Sequence, residues 1–324
     1  MKVLVTGGTG FLGSHLIDRL LEDPATEVHA LVRNPAKTRW LPGGVRLRIL
    51  EGDLHRVPTL PDGLSVVFHA AGLTKATRSS DYYTVNEGGT ASLFRALAAG
   101  AASPRVVHLS SLAAAGPSSP GRPVKEDDPP RPVSPYGLSK LAAEREALAH
   151  KDRFPLAVLR VAAVYGPRDE DFLDFFRVIR RGVLPLYGRR PKTLSLCYAG
   201  DVVEAVLLAA RAALPSGEVL NIAHPKPASW EELGETAGRL LGRKLVRVRV
   251  PSWGAFLASA ASTVVAGLRR RPAALNLSKY KDMQPDHWEA DVARARRVLG
   301  FEARVSLEDG FRETLDWYVA NGLL

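Results

Sequence analysis

The chain has 324 residues, 46% of them hydrophobic, which is enough to bury a large core and excludes a disordered or disulfide-stapled class. Cys197, the only cysteine, leaves no intrachain disulfide and no Cys-built metal site, which fits a reducing cytoplasm and predicts a metal-free protein. The formal net charge of +10 is not read as a nucleic-acid signature. Only 11 of the 44 basic residues are Lys, and the clusters Arg269-Arg270-Arg271 and Arg294, Arg296, Arg297 come with no recognition motif or interleaved aromatics. Lys2 leads directly into the strand-like VLVTGG without an export pattern, so a cytoplasmic location is expected.

Apolar runs alternate with helix-length segments through the first half: a strand at 2–6, a helix at 11–22, EVHALVR at 27–33, RLRILEGD at 46–53 and SVVFHAAG at 65–72. A helix near 84–100, RVVHLSS at 105–111, a helix over 135–149 and PLAVLRVAAVYG at 155–166 continue the rhythm. Strands that are apolar throughout, rather than alternating, belong to a parallel sheet covered on both faces. The pattern predicts an α/β Rossmann fold, a doubly wound parallel sheet. The proline-rich stretch 116–135 reads as a surface excursion, since sheet elements follow it.

Past Pro167 come an aromatic helix FLDFFRVIRRG, a strand TLSLCYAGD, a helix over 201–213, VLNIAHP, a helix near 229–241, an uncharged apolar stretch at 253–268 and a last helix near 306–320. Residues 1–166 are read as the dinucleotide-binding domain, with 194–223 returning to its sheet, and 167–324 as mainly a substrate-binding lobe.

Gly7, Gly8, Gly10 and Gly13 sit between a buried strand and an amphipathic helix, with a second strand within about thirty residues, which is the setting a dinucleotide fingerprint requires. Glycines admit the pyrophosphate close to the backbone, and the helix start offers free N–H groups and partial positive charge. A tight turn is the plain alternative. The second strand ends Val32-Arg33-Asn34 with Lys37 beyond, two cations where an acidic residue would hold a ribose 2′-hydroxyl. This favours NADP, with NAD as the alternative.

Ser134-Pro135 opens a helix that puts Tyr136 and Lys140 four residues apart on one face. Bringing a phenol from a pKa of ~10 towards neutrality takes about 4 kcal/mol. An ammonium ~4 Å away at an effective dielectric of ~20 supplies about that much.

Together these segments resemble the extended short-chain dehydrogenase/reductases, the NAD(P)-dependent epimerase/dehydratase superfamily. The resemblance is carried by Gly7 to Gly13, Gly52-Asp53-Leu54, His69-Ala70-Ala71-Gly72, Ser110-Ser111, Tyr136 to Lys140, and Arg160 through Val164-Tyr165-Gly166-Pro167. It implies a catalytic set of Ser111, Tyr136 and Lys140, with Ser111 rather than Ser110 matching the family spacing to Gly116. It also implies a cofactor site of Gly7, Gly10, Phe11, Leu12 and Gly13, with Arg33, Asn34 and Lys37 beyond the second strand. Asp53 and Leu54 would lie at the adenine and Ala70, Ala71 and Gly72 beside the ribose and pyrophosphate. Leu109, Tyr136, Lys140 and Val164 complete the cofactor contacts, Val164 near the nicotinamide. The implied chemistry is hydride transfer at a carbinol carbon, with Tyr136 moving the hydroxyl proton.

Sugar-nucleotide epimerases and dehydratases usually carry R-x-x-N-V-Y-G-P and an Arg seven residues before the aspartate corresponding to Asp201; here Ala163 and Leu194 occupy those positions. Lys192, Lys281 or neighbouring arginines are candidate substitutes. HALVRNPAK resembles dihydroflavonol-reductase-like enzymes, and the late HWEADVARARRVLGF resembles the 3-beta-hydroxysteroid-dehydrogenase-like branch. The favoured reading is an NADP-dependent oxidoreductase interconverting a ketone and a secondary alcohol on an apolar small molecule. An NAD-dependent nucleotide-sugar 4-epimerase or dehydratase and a dinucleotide-sensing regulator without turnover are the alternatives. The resemblance further implies a homodimer through the helices at 84–100 and 135–149. Residues 253–268 are read as a helix packed on its own lobe, with a lid over the substrate or a peripheral membrane contact as alternatives.

Overall fold

Fully apolar strands need cover on both faces, and the chain supplies it by interleaving helices with strands. The computed structural model describes residues 1–36, 38–188, 190–269 and 277–324, without the side chains of 258 and 264–269. Lys37, one of the two expected phosphate cations, lies outside the described residues, as do Arg270 and Arg271.

The first half runs β1 (Lys2–Thr6), α1 (Phe11–Leu21), β2 (Glu27–Val32), β3 (Leu47–Glu51), β4 (Val66–His69), α2 (Ser79–Ala99), β5 (Arg105–Ser111), the short α3 (Leu112–Ala115), α4 (Pro135–Leu148) and β6 (Leu156–Val161). The second runs β7 (Ala163–Tyr165), α5 (Asp171–Arg180), β8 (Val183–Tyr187), β9 (Thr193–Leu194), β10 (Leu196–Tyr198), α6 (Ala199–Arg211), β11 (Glu218–Ile222), β12 (Ala228–Ser229), α7 (Trp230–Leu240), β13 (Val246–Val250), α8 (Ser252–Arg269), α9 (Leu277–Met283), β14 (His287–Trp288), α10 (Ala293–Leu299) and α11 (Leu307–Ala320).

Seven strands form one sheet in the order β11-β6-β5-β4-β1-β2-β3, every neighbouring pair parallel. This is the doubly wound Rossmann-like architecture, with the order reversing between β1 and β4. On one face Leu16, Ile17 and Leu20 of α1 and Val202, Val203 and Val206 of α6 pack on Val3, Val5 and Leu159. On the other, Leu93, Phe94 and Leu97 of α2 and Ala147 of α4 pack on Leu4, Val67 and Val158. A separate core holds Tyr165, Phe176, Leu184, Leu233, Phe311 and Tyr318 together. Phe172 and Phe175 pack against it partly buried, so the aromatic stripe of α5 belongs to packing.

Local differences from the sequence reading have local causes. The run TLSLCYAGD divides into β9 and β10 at Ser195, whose hydroxyl accepts Ala290 N–H at 3.0 Å and whose N–H donates to Trp288 O at 2.8 Å. Helix α2 starts at Ser79, earlier than expected, because Asp81 Oδ2 accepts the Arg78 N–H at 3.2 Å. Strand β13, absent from the expected elements, pairs in parallel with β8 from Val246↔Val183 to Val250↔Tyr187.

Candidate active site

The loop between β1 and α1 is shaped by close backbone approach. Gly7 has φ +75°, and a Cβ there would lie 2.6 Å from Ala71 N; a Cβ on Gly13 would lie 2.2 Å from Gly7 O. No side chain caps the start of α1 at Gly10, so its first N–H groups face outward. Phe11 and Leu12 are partly buried on its first turn. Ala70 N–H donates to Thr6 O and Ala71 N–H to Thr6 Oγ1, both at 3.2 Å, which fixes the end of β4 against this loop. The cradle fits a pyrophosphate: Gly7 and Gly13 let the loop, the end of β4 and the start of α1 pack backbone to backbone, and no side chain caps the first N–H groups of α1.

At the far end, Arg33 and Asn34 are exposed after β2, and Asn34 Oδ1 accepts Ala36 N–H at 3.0 Å. Asp53 Oδ1 accepts the N–H groups of Arg56 and His55, each at 2.9 Å. The Arg56 bond and, more weakly, the positive charge of Arg33 help hold that carboxyl below its ordinary pKa. Leu54 is buried, with Gly89 of α2 lying against its side chain. These groups line one continuous edge of the sheet with the glycine loop.

The Ser134 hydroxyl caps α4 by accepting Gly137 N–H at 3.0 Å, with Pro135 at the first helical position. Tyr136, partly exposed, hydrogen-bonds to Ser111 and lies 5.9 Å ring to ring from Tyr82. Ser111 Oγ also accepts Ala113 N–H at 3.2 Å. Ser110 points elsewhere, its hydroxyl donating to Glu144 Oε1 at 2.5 Å. Lys140 is buried and donates through Nζ to Leu109 O at 2.7 Å. Val164 lies partly buried on β7, paired with Cys197 of β10.

The expected electrostatics differ in this arrangement. Burial pushes the Tyr136 phenol up to about 12 and the Ser111 hydrogen bond opposes it only in part. Burial brings the Lys140 ammonium down to about 8, with Glu144 opposing. One donor of the lysine ammonium is engaged by the Leu109 carbonyl.

A buried polar chain supports these groups, with Thr6, Asn86 and Thr90 joining His69 and Ser139. Thr6 Oγ1 meets His69 Nδ1 at 2.7 Å, His69 Nε2 meets Thr90 Oγ1 at 2.9 Å, and Thr90 donates to Asn86 O at 2.6 Å. Asn86 Nδ2 donates to Ser139 Oγ at 2.8 Å and Ser139 donates to Tyr136 O at 2.7 Å. Burial holds His69 neutral, its pKa lowered to about 3. Beneath α4, Arg160 of β6 pairs with Glu144 at 2.8 Å, both almost fully buried.

Ala163 and Leu194 occupy β7 and β9 as small and aliphatic side chains, so the two positions that carry Asn and Arg in sugar-nucleotide epimerases have no polar group here. Asp282 of α9 is a further neighbour of Tyr136. Burial raises its carboxyl to about 6 against a Ser134 hydrogen bond and Lys279, and its Oδ1 is without a hydrogen-bond partner. No motif marked it. Lys75 pairs with Asp171, tying the segment before α2 to the start of α5. A cavity of about 430 Å³ is lined by none of Ser111, Tyr136 or Lys140 but by Tyr280 and Met283, which flank Asp282 on α9. Among the described residues there is no cluster of three metal-ligating side chains, and Cys197 is buried and free.

The sheet, the glycine cradle at its switch point and the serine, tyrosine and lysine beside it define an enzyme of the extended short-chain dehydrogenase/reductase class. The chain belongs to the NAD dependent epimerase/dehydratase family, which matches residues 3–223. It is 29% identical over 326 residues to a ceramide reductase of Caulobacter vibrioides, covering 99% of this chain and 96% of that one. It is 31% identical over 327 residues to 4-hydroxy-2-methyl-3-oxo-4-farnesyl-3,4-dihydroquinoline-1-oxide ketoreductase of Stigmatella aurantiaca, covering 96% and 94%. Among solved structures, a UDP-glucuronic acid 4-epimerase variant of Bacillus cereus, in complex with UDP-4-deoxy-4-fluoro-glucuronic acid and NAD, superposes with TM-score 0.81 at 25% identity, covering 99% of this chain and 100% of the other.

Proposed function

We propose that this enzyme is an NADP-dependent ketoreductase acting on a hydrophobic molecule. The observation that carries the reading is the Ser111–Tyr136 hydrogen bond, with Lys140 buried on the same helix as Tyr136 beside the glycine cradle. Gly7, Gly10, Phe11, Leu12 and Gly13 would hold the pyrophosphate, Asp53 and Leu54 the adenine, and Ala70, Ala71, Gly72, Leu109, Lys140 and Val164 the ribose and nicotinamide. When bound, the reduced nicotinamide supplies the hydride to the carbonyl carbon. Ser111 holds the carbonyl oxygen, and Tyr136 donates its hydroxyl proton to that oxygen as the alcohol forms. A phenol held at about 12 is protonated at neutral pH, the state that can donate. Solvent then reprotonates it.

The side chains at the anchor positions set the polarity of the substrate. A diphosphate demands cations or N–H donors. Here Ala163 and Leu194 supply none, Lys192 Nζ is taken up by Gln284 O, Pro285 O and Asp286 Oδ1 at 2.9–3.1 Å, and Asp282 adds a carboxyl. The ceramide reductase and the farnesyl-quinoline-oxide ketoreductase are relatives named for lipid-like substrates, which supports the same reading. Preference for NADP rests on Arg33, exposed at the end of β2. A second reading, a nucleotide-sugar 4-epimerase using NAD, is favoured by the likeness to the Bacillus cereus epimerase complex.

We assign residues 1–166 together with 194–223 to the cofactor domain and the rest of 167–324 to the substrate lobe, because β11 pairs with β6 in the main sheet. We further assign a homodimer through α2 and α4, which light scattering in solution tests. The functional test is titration with NADPH and NADH followed by cofactor consumption over apolar ketones and UDP-sugars. NADPH oxidation with apolar ketones supports the reading. Tighter NADH binding overturns the cofactor preference, and UDP-sugar epimerisation overturns the substrate class.

A further inference from the structure

Charge is segregated in this chain. Residues 241–281 contain nine Lys or Arg and no Asp or Glu, so this one stretch holds nine of the net ten positive charges. Six of these cations, Arg243, Lys244, Arg247, Arg249, Lys279 and Lys281, are described, and all six are exposed. The same stretch exposes large apolar side chains. Trp253 is 70% exposed, Leu257 56% and Phe256 45%, and their spacing puts them on one face of α8 over its first two turns. On β13, Val246 and Val248, two residues apart, are also exposed.

The opposite side of the same helix is committed to the protein. Gly254, Ala255 and Ser259 of α8 line the cavity of about 430 Å³ together with Tyr280 and Met283 of α9. One helix thus walls a cavity inside and shows an aromatic and aliphatic stripe outside, among cations.

We propose that α8 and β13 form a docking surface for an anionic lipid bilayer. Trp253, Phe256 and Leu257 enter the boundary between headgroups and acyl chains, and the surrounding Lys and Arg side chains face the headgroups. Charge complementarity selects this occupant. A second copy meeting this face about a two-fold axis would set a strongly cationic surface, in which Arg247 is paired with Glu235 of α7, against itself. The contact is peripheral, since among the described residues no helix is long and apolar enough to cross a membrane. It places the cavity wall at the lipid surface, where an apolar ligand partitions. The contact does not depend on the reaction proposed above and is read without substrate.

Flotation of the full chain with vesicles rich in phosphatidylglycerol, and with phosphatidylcholine vesicles alone, tests it. The expected result is binding to the anionic vesicles only, reversed by high salt, with Trp253 emission shifting to the blue. The triple variant Trp253→Ser, Phe256→Ser, Leu257→Ser should bind at least about tenfold more weakly. The pair Arg243→Glu, Arg249→Glu should do the same with the apolar stripe intact. Melting temperature and dinucleotide affinity should match wild type in both, and the charge pair keeps the test valid if the triple variant folds poorly. Failure of the wild-type chain to float with anionic vesicles overturns the proposal, as does wild-type flotation by the charge pair. A wild-type dimer dissociated by the triple variant also overturns it and assigns the stripe to a second copy.

Discussion

Replacing Glu144 by Ala removes the anion that seats α4, with Tyr136 and Lys140, on the sheet. Glu144 is 1% exposed and Arg160 5% exposed; Arg160 Nε and Nη2 reach the carboxylate at 2.8–3.2 Å, and Ser110 adds a hydrogen bond at 2.5 Å. Truncation leaves a guanidinium buried without its counter-ion, a loss of about 3–5 kcal/mol. With an unfolding entropy of ~2.1 cal/mol/K per residue, a chain this size should lose about 4–7 °C in Tm. Urea titration and calorimetry measure both quantities. The double change Glu144→Leu, Arg160→Met should cost less than Glu144→Ala alone, because no unpaired charge remains. Glu144 is also the charge that opposes the lowering of Lys140, so in Glu144→Ala the lysine should titrate below its value of about 8. A loss under about 1 kcal/mol, or a double variant worse than the single, would refute the reasoning.

Three other outcomes follow from the same geometry. Gly13→Ala places a Cβ 2.2 Å from the backbone oxygen of Gly7, which cannot swing aside as a side chain could, so calorimetric titration should show dinucleotide affinity falling at least about a hundredfold with the sheet still folded; wild-type affinity would contradict the cradle. Asp282→Asn should be nearly as stable as wild type below pH 4 and gain on it up to neutral pH. The native carboxyl titrates near 6 against an ordinary value of 3.8, so the native state binds the extra proton between them and wild-type stability falls as pH rises through that window. A variant that loses ground on wild type over that range would contradict this sign. Tyr136→Phe should bind dinucleotide normally and lose at least about a hundredfold in turnover, with substantial residual activity as the contrary result.

The Rossmann sheet was legible because its central strands are predominantly apolar and its glycine loop sits between a strand and a helix. The second lobe was less so. Its strands are two to five residues long, too short for periodicity to register, and β13 hides its VRVRV alternation at an exposed edge. At the site, Ser111, Tyr136 and Lys140 carried a spacing signal. Asn86, Ser139 and Glu144 are positioned by tertiary contacts between α2, α4 and β6, and single-sequence patterns do not encode such contacts. The electrostatics also needed the fold: spacing put an ammonium near the phenol, and the fold adds its hydrogen bond to the carbonyl of Leu109.

The most direct measurement of the central claim is reduction of an apolar ketone with NADPH carrying deuterium on the transferable position of nicotinamide C4. The account predicts one deuterium on the new carbinol carbon and stoichiometric oxidation of the cofactor, both abolished in Tyr136→Phe. Epimerised UDP-sugar with no net consumption of cofactor, and no label in any alcohol, would contradict it.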